Sequence, residues 1–357
     1  MSKNIETINE FTEFVNDFWK EQDKPFAFGI GKGIDNADGE LIAVRWLTIN
    51  VEENMGTAAV LLAGEGELTG YQIIEKYFSA FENDGKHHAN IAALNHIGDD
   101  YPVCNFYFSE DQLLNDKPED IPDAHFRLCL MSRRNYIPNL LELDGAFGIL
   151  PNLLWTAKSA YTLEEYNQRW FEIQESGEFP ITHDKFPPMY WANPALEGVR
   201  VANTLMVRNG AHLGSGTTVM HYAFINFNAG TLGKAMVEGR IGAGITIGDA
   251  TDIGAGAGFL GTLSGGNDKK LSTGKQNLVG AMAECGIILG TGNQIAAGVT
   301  ILANSKIYHL SEAKWKVGSD FDNCNNTLFI FNTKHGRLEA RSVKNPVELN
   351  EKLHKND

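Results

Sequence analysis

Large apolar residues recur every six positions through the second half of the chain, and no other feature restricts its fold so severely. Val201, Val207, Leu213, Val219 and Ile225 form one run; Ile241, Ile247, Ile253 and Phe259 form a second; Leu289, Ile295, Ile301 and Ile307 form a third. A period of six fits neither the α-helix nor a simple alternating strand. It fits a unit of one short strand plus one turn, three of which close a triangular coil with one aliphatic side chain pointing inward from each face. Successive coils then stack at about 4.8 Å through parallel strand hydrogen bonds, and each inward side chain packs on its counterpart one coil away. Burying each one is worth about 1.5–3 kcal/mol.

Small residues keep the same phase. Gly214, Gly248, Gly254 and Gly290 directly follow an aliphatic position, and Ala211, Thr217, Ala223, Thr251 and Ala257 stand four after it. The chain holds 37 glycines in 357 residues, and corner glycines are expected to supply backbone angles that other residues adopt only with strain. A glycine-rich β-sandwich is the alternative that composition alone leaves open. The phase breaks twice. It slips by four between Ile225 and Ile241, and it is interrupted after Phe259 by Gly261-Thr262-Leu263-Ser264-Gly265-Gly266 and then Lys269-Lys270. Both breaks predict segments that leave the coil, and loops ejected from a rigid scaffold are natural binding sites.

The first half has a different texture. Residues 26–30 and 41–51 read as strands joined by a turn at Asp35-Asn36-Ala37-Asp38-Gly39, and residues 71–81 and 111–114 as helices. Phe186-Pro187-Pro188 and Asn193-Pro194 interrupt any helix, which places a junction just before the coil. Three parts result: an N-terminal α/β domain over 1–195, a β-coil over 196–309 and a C-terminal extension over 310–357. In the extension, 327–332 reads as a strand that 338–343 pairs with. The fold class is therefore mainly β.

A net charge of −15 with no Lys/Arg-rich run argues against nucleic acid or an anionic membrane as partner. An anionic small molecule needs only a local cationic pocket. Cys104, Cys129, Cys285 and Cys324 are scattered and make no metal-ligand spacing, so they read as free thiols in a reducing cytoplasm. The first 24 residues suit an amphipathic helix rather than a signal sequence, and no stretch reaches the ~20 apolar residues of a membrane span. His87-His88 reads as a solvated loop.

At the breaks the sequence becomes specific. Thr217-Thr218-Val219-Met220-His221, Ile225-Asn226-Phe227-Asn228-Ala229-Gly230-Thr231, Met236-Val237-Glu238-Gly239-Arg240 and the Gly261–Gly266 run resemble the tetrahydrodipicolinate N-succinyltransferases, specifically their longer-chain branch. Gly148-Ile149-Leu150-Pro151-Asn152 with Trp155-Thr156, and Asp184-Lys185-Phe186-Pro187, extend the resemblance upstream. The resemblance implies a left-handed coil of hexapeptide repeats, a homotrimer, and active sites in grooves between subunits. It also implies transfer of succinyl from succinyl-CoA to the amino group of ring-opened tetrahydrodipicolinate, a dicarboxylate, on the route to diaminopimelate and lysine. Succinyl-CoA is then a co-substrate, and no cofactor is tightly bound.

Glu238 matches the family's catalytic glutamate. As a general base it would take a proton from the acceptor ammonium, which otherwise has no lone pair for the thioester carbonyl; direct acylation of Glu238 is the other route. Arg240, two residues on, suits a carboxylate or the acyl end of the thioester. Ser264 lies in a run whose backbone N–H groups can approach an anion. The positions matching the family's coenzyme contacts are Arg240, Ala255, Gly258, Ala281, Ala296, Ala297 and Asn304. Asn226 and Asn228 are either turn asparagines or substrate hydrogen-bonders, and His221 is a structural residue or one that orients a site group.

Two departures from the family stand out. Leu205 and Tyr222 occupy positions where some members hold a divalent ion with carboxylates, and neither is an oxygen-anion ligand, so no metal is expected there. After Leu328-Phe329 the family commonly has two arginines, whereas this chain has Ile330-Phe331-Asn332, which leaves Lys314 or Lys316 to meet the coenzyme's phosphates. An acetyl donor and a non-catalytic trimeric scaffold are the competing readings.

Overall fold

A computed structural model describes residues 4–64, 66–81, 87–260 and 270–344. The chain divides into two compact units: residues 1–129 with 141–186, and residues 130–140 with 187–357.

In the first unit, antiparallel strands Leu41–Val51, Ala27–Asp35 and Val103–Tyr107 form a sheet with Ala27–Asp35 in the middle. The expected turn at 35–39 closes the hairpin, with Gly39 at φ +79°. Helix Ile8–Glu21 starts in a Thr7/Glu10 capping box and contributes Phe11 to an aromatic cluster with Phe78 and Phe81. His87 belongs to that cluster rather than to a solvated loop: its ring lies against all three phenylalanines and its Nδ1 is 3.2 Å from Thr57 Oγ1. The expected helix over 71–81 is present but irregular, passing from α (Gly70–Ile73) through a π turn (Ile74–Phe78) to a 3-10 turn (Ser79–Phe81). The two upstream motifs meet around a second small sheet. Trp155 Nε1 donates to the Asp184 carbonyl at 2.7 Å, and Lys185 Nζ donates to the Leu150 carbonyl at 2.6 Å.

The second unit is a parallel coil with three strand faces. The first face stacks Phe224–Ile225, Arg240–Ile241, Gly258–Phe259, Glu284–Cys285 and Thr300–Ile301. The second contains Ala211–Leu213, Ala229–Thr231 and Thr246–Ile247, continued by single bridges at Ser272, Thr273, Leu289 and Cys324. The third runs Arg200–Val201, Thr217–Val219, Ala235–Val237, Asp252–Ile253, Leu278–Val279 and Gln294–Ile295. Of the thirteen hexad residues all but Val201 are at most 5% exposed, and the five small residues four positions after them are fully buried.

The first phase break does not leave the coil. Thr231 takes the inward position that an aliphatic residue holds elsewhere, its hydroxyl 2.6 Å from Thr217 Oγ1, and Val237 takes the next. The slip arises because Val237 and Ile241 are only four residues apart, so one corner is short. The glycines directly after the aliphatic positions also serve a purpose other than the one expected. They are not in the left-handed region; instead a Cβ on Gly214 would lie 2.4 Å from the backbone of Gly233 on the next coil. Left-handed backbone falls two residues later, at Gly216, Asn228, Gly244, Ala250, Gly256, Met282, Gly292 and Gly298.

The last part of the chain extends the third face. Strand Thr327–Asn332 pairs in parallel with Gln294–Ile295 and antiparallel with Arg337–Ser342, as the sequence predicts for that hairpin. Segment 130–140 braces the first coils although it is distant in sequence. Arg134 Nε donates to the Leu213 carbonyl at 2.6 Å, and Ser132 Oγ accepts from Gly210 N at 2.8 Å.

Candidate functional site

The corner between the third and first faces gathers most of the residues singled out in the sequence. At the start of that corner the coils are linked by a column of backbone hydrogen bonds: Met220 N to Val237 O, Glu238 N to Ile253 O, Gly254 N to Val279 O, Gly280 N to Ile295 O and Ala296 N to Phe329 O, all 2.8–2.9 Å. Glu238 therefore stands directly over Gly254, Gly280 and Ala296. Two glycines and an alanine leave the surface beyond its carboxylate bare along three coils, roughly 14 Å. Ala255, Ala281 and Ala297 form the next column and are exposed.

The corner at Glu238 is two residues shorter than those beside it. Val237 and Ile241 are separated by Glu238-Gly239-Arg240, whereas Ile253 and Phe259 are separated by Gly254-Ala255-Gly256-Ala257-Gly258. Gly239 is buried, and a Cβ there would lie 2.0 Å from the Ala257 carbonyl oxygen. The short corner is thus drawn against the coil, with the longer corner Met220-His221-Tyr222-Ala223 on one side and Gly254–Ala257 on the other. Glu238 is half-buried, and its carboxylate makes no hydrogen bond or ion pair among the described residues. Burial alternates through Val237, Glu238, Gly239 and Arg240, so Glu238 and Arg240 both face outward.

Arg240 follows Phe224 on the first face and lies in register with Gly258, then Glu284, then Thr300. Its Nη2 pairs with Glu284 Oε1, two coils away. Glu284 was not legible as a site residue. The loop after Phe259 had hidden the phase, and Cys285 fills the inward position where a branched aliphatic residue would have marked its neighbour as outward.

The remaining candidates separate from this corner. Asn304 is exposed and follows the far end of the first face. Ser264 and the glycines around it lie outside the described residues, which stop at Leu260 and resume at Lys270. Asn228 is a turn residue: at φ +50° it accepts from Asn139 N at 2.7 Å and ties segment 130–140 to the coil. Asn226 accepts from Arg208 Nη1 at 3.0 Å. His221 is exposed and packs edge-on against Tyr222, itself 87% exposed. Lys314 and Lys316 both bind Glu312, and together they pull its carboxyl down to about 2.

Beyond Ala296 the terminal strands form a cavity of about 790 Å³ whose walls include Trp315, Phe331, Lys306, Lys316, Arg337 and Asp320. Trp315 and Phe331 each present about half of their surface to solvent. Arg337 lies over the Tyr308 ring at 3.7 Å and donates through Nε to the fully buried Glu339. Hydrogen bonds from Asn332, Arg337 and Arg341 hold that carboxyl down at about 2. No group of three or more His, Cys, Asp and Glu side chains suited to a metal ion occurs among the described residues.

No family model matches the chain. A 2,3,4,5-tetrahydropyridine-2,6-dicarboxylate N-succinyltransferase of Vibrio cholerae is 35% identical over 346 residues, 93% of this chain and 99% of the relative. Its namesake in Pseudomonas paraeruginosa is 41% identical over 244 residues, 66% of this chain and 70% of the relative. A Campylobacter jejuni crystal structure described as a 2,3,4,5-tetrahydropyridine-2-carboxylate N-succinyltransferase superposes with a TM-score of 0.81 at 26% identity, covering 98% of this chain and 99% of that one. At this identity and coverage, the chain belongs to the 2,3,4,5-tetrahydropyridine-2,6-dicarboxylate N-succinyltransferase family.

Proposed function

We propose that this protein transfers the succinyl group of succinyl-CoA to the amino group of ring-opened tetrahydrodipicolinate, in the diaminopimelate and lysine pathway. The observation that carries the reading is the short corner. It holds a carboxylate without a protein partner at the head of a bare strip of Gly254, Gly280 and Ala296, where an extended thioester arm can lie against backbone. Glu238 takes a proton from the acceptor ammonium, and the freed lone pair attacks the thioester carbonyl. The tetrahedral intermediate loses a second proton from its nitrogen and collapses with loss of the coenzyme thiolate, which takes up a proton returned by Glu238. Arg240 offers its guanidinium to a carboxylate of the acyl group or acceptor.

Ala255, Gly258, Ala281, Ala296 and Ala297 line the arm's path, with Asn304 beyond it. The Trp315 and Phe331 cavity, with its lysines and Arg337, suits the coenzyme's nucleotide end, because an aromatic wall stacks on a purine and cations meet phosphates. This cavity takes over from the two arginines missing after Leu328-Phe329. Ser264 stays in the reading on family resemblance alone.

The reading includes a left-handed coil, a homotrimer with sites between subunits, a cytoplasmic location, no tightly bound cofactor and no metal. It also keeps the three-part division at 195 and 309. Among the described residues no helix is long and apolar enough to cross a membrane.

A thiol-release assay with an aminopimelate acceptor tests the reading, with succinyl-CoA and acetyl-CoA compared as donors. Glu238→Gln is expected to lower kcat by about 10²–10⁴-fold without changing thermal stability. Turnover that survives this substitution would remove Glu238 from the mechanism, and faster turnover with acetyl-CoA would reassign the donor. Initial-rate patterns separate the two chemical routes, since intersecting lines without half-reaction exchange exclude an acylated Glu238.

A further inference from the structure

Glu284 has a place at this corner that neither the family match nor the mechanism above assigns. Its carboxylate reaches Arg240 across an intervening coil, in the register Arg240, Gly258, Glu284. The bridge passes over position 258, which has no side chain. A Cβ on Gly258 would lie 3.0 Å from Glu284 Oε2 and 3.4 Å from both Nε and Nη2 of Arg240. With glycine there, the arginine side chain lies along the coil surface instead of rising into solvent.

The pair has little to do with holding the fold. The Arg240 side chain is 60% exposed, and a pair of that exposure adds little to stability. Its effect is geometric. Glu284 engages Nη2, and among the described residues the other guanidinium N–H groups have no partner. One edge of the fork is thereby fixed, and the other stays open on a side chain two residues along the chain from Glu238. The second carboxylate oxygen, Glu284 Oε2, is buried without a hydrogen-bond partner among the described residues.

We infer that Glu284 is a positioning residue: it orients Arg240 so that the open edge of its guanidinium meets the terminal carboxylate of the donor's acyl group, and it thereby sets a preference for a dicarboxylic acyl thioester. The inference rests on the acyl-transfer reading and deepens it by naming what selects the donor. Glu284→Gln keeps the shape of the side chain but removes the charge that pins the guanidinium. Gly258→Ala keeps both charged groups and crowds the Glu284 carboxylate, which must shift by a few tenths of an ångström.

Calorimetric titration of the full-length protein with coenzyme A and with succinyl-CoA, without acceptor, tests this. Wild type should bind succinyl-CoA the more tightly. In Glu284→Gln that advantage should fall by about tenfold, the scale of one well-formed charged contact, while affinity for coenzyme A itself changes far less. KM for succinyl-CoA should rise more than kcat falls, and Gly258→Ala should move the ratio in the same direction. A wild-type advantage retained in both variants overturns the inference and leaves the acyl-transfer reading standing. Affinities for both ligands falling equally would make Glu284 merely structural. Wild type that binds the two ligands equally overturns the inference together with the role given to Arg240.

Discussion

Replacing Gly239 by alanine tests whether the short corner is what places Glu238. The added carbon would lie 2.0 Å from the Ala257 carbonyl oxygen, 2.8 Å from its carbon and 2.9 Å from Ile253 Cγ2. A carbon-to-oxygen contact settles at about 3.3 Å, so the corner or the neighbouring coil must move by about 1.3 Å. Two backbone hydrogen bonds flank the clash, Glu238 N to Ile253 O and Arg240 N to Ala257 O, both 2.8 Å. A shift of that size breaks at least one of them, which costs about 1–3 kcal/mol, and overpacking adds about 1–3 kcal/mol. The expected loss is about 2–6 kcal/mol, read as a lower denaturation midpoint. The carboxylate moves with its backbone, and a displacement of about 1 Å at a reacting group lowers the rate by about 10²-fold. Thiol release measured at a temperature where the variant remains folded isolates that second effect. Gly148→Ala is the control, because a Cβ there meets nothing within 4 Å. A Gly239→Ala protein with wild-type stability and wild-type turnover would refute both the packing of the corner and its link to catalysis.

Other expectations can be checked independently. His125 is completely buried, neither ring nitrogen has a hydrogen-bond partner among the described residues, and burial pushes its pKa down from 6.5 to about 4. Because the folded pKa is the lower one, the stability it confers is complete above pH 6.5 and is lost as pH falls toward 4, about 3 kcal/mol in all. Denaturant midpoints between pH 7 and 4 should show this slope, and it should be absent in His125→Phe. Trp315→Ala should raise KM for succinyl-CoA severalfold and leave KM for the acceptor unchanged; the reverse pattern would take the coenzyme out of that cavity. Dialysis against a chelator should leave turnover and oligomeric state intact, and loss of either would show a metal that Leu205 and Tyr222 do not predict.

Much of the coil was legible because its cause is periodic. An inward aliphatic residue every six positions is a local demand of each strand-and-turn unit, so twelve of the thirteen chosen residues are buried. The reading failed where another residue type met the same demand. Thr231 fills an inward position with a hydroxyl paired to Thr217, and Cys285 fills another. A pattern of large aliphatic residues passes over both, and what looked like an ejected loop at the first break is an unbroken coil with one short corner. Family resemblance singled out Glu238, Arg240 and the small residues, but nothing in the sequence said that Glu238, Gly254, Gly280 and Ala296 form one column.

The sequence by itself determined the repeat, its small corner residues and the hairpin near the C-terminus, because each depends on neighbours within a few positions, while the candidate carboxylate was marked by resemblance to a known family. Only the tertiary structure decided what stacks on what. Pairing between coils brings Arg240 to Glu284 across 44 residues and sets a terminal cavity beyond Ala296. Those contacts depend on the number of residues in each intervening turn and loop, a sum that no single stretch of sequence displays.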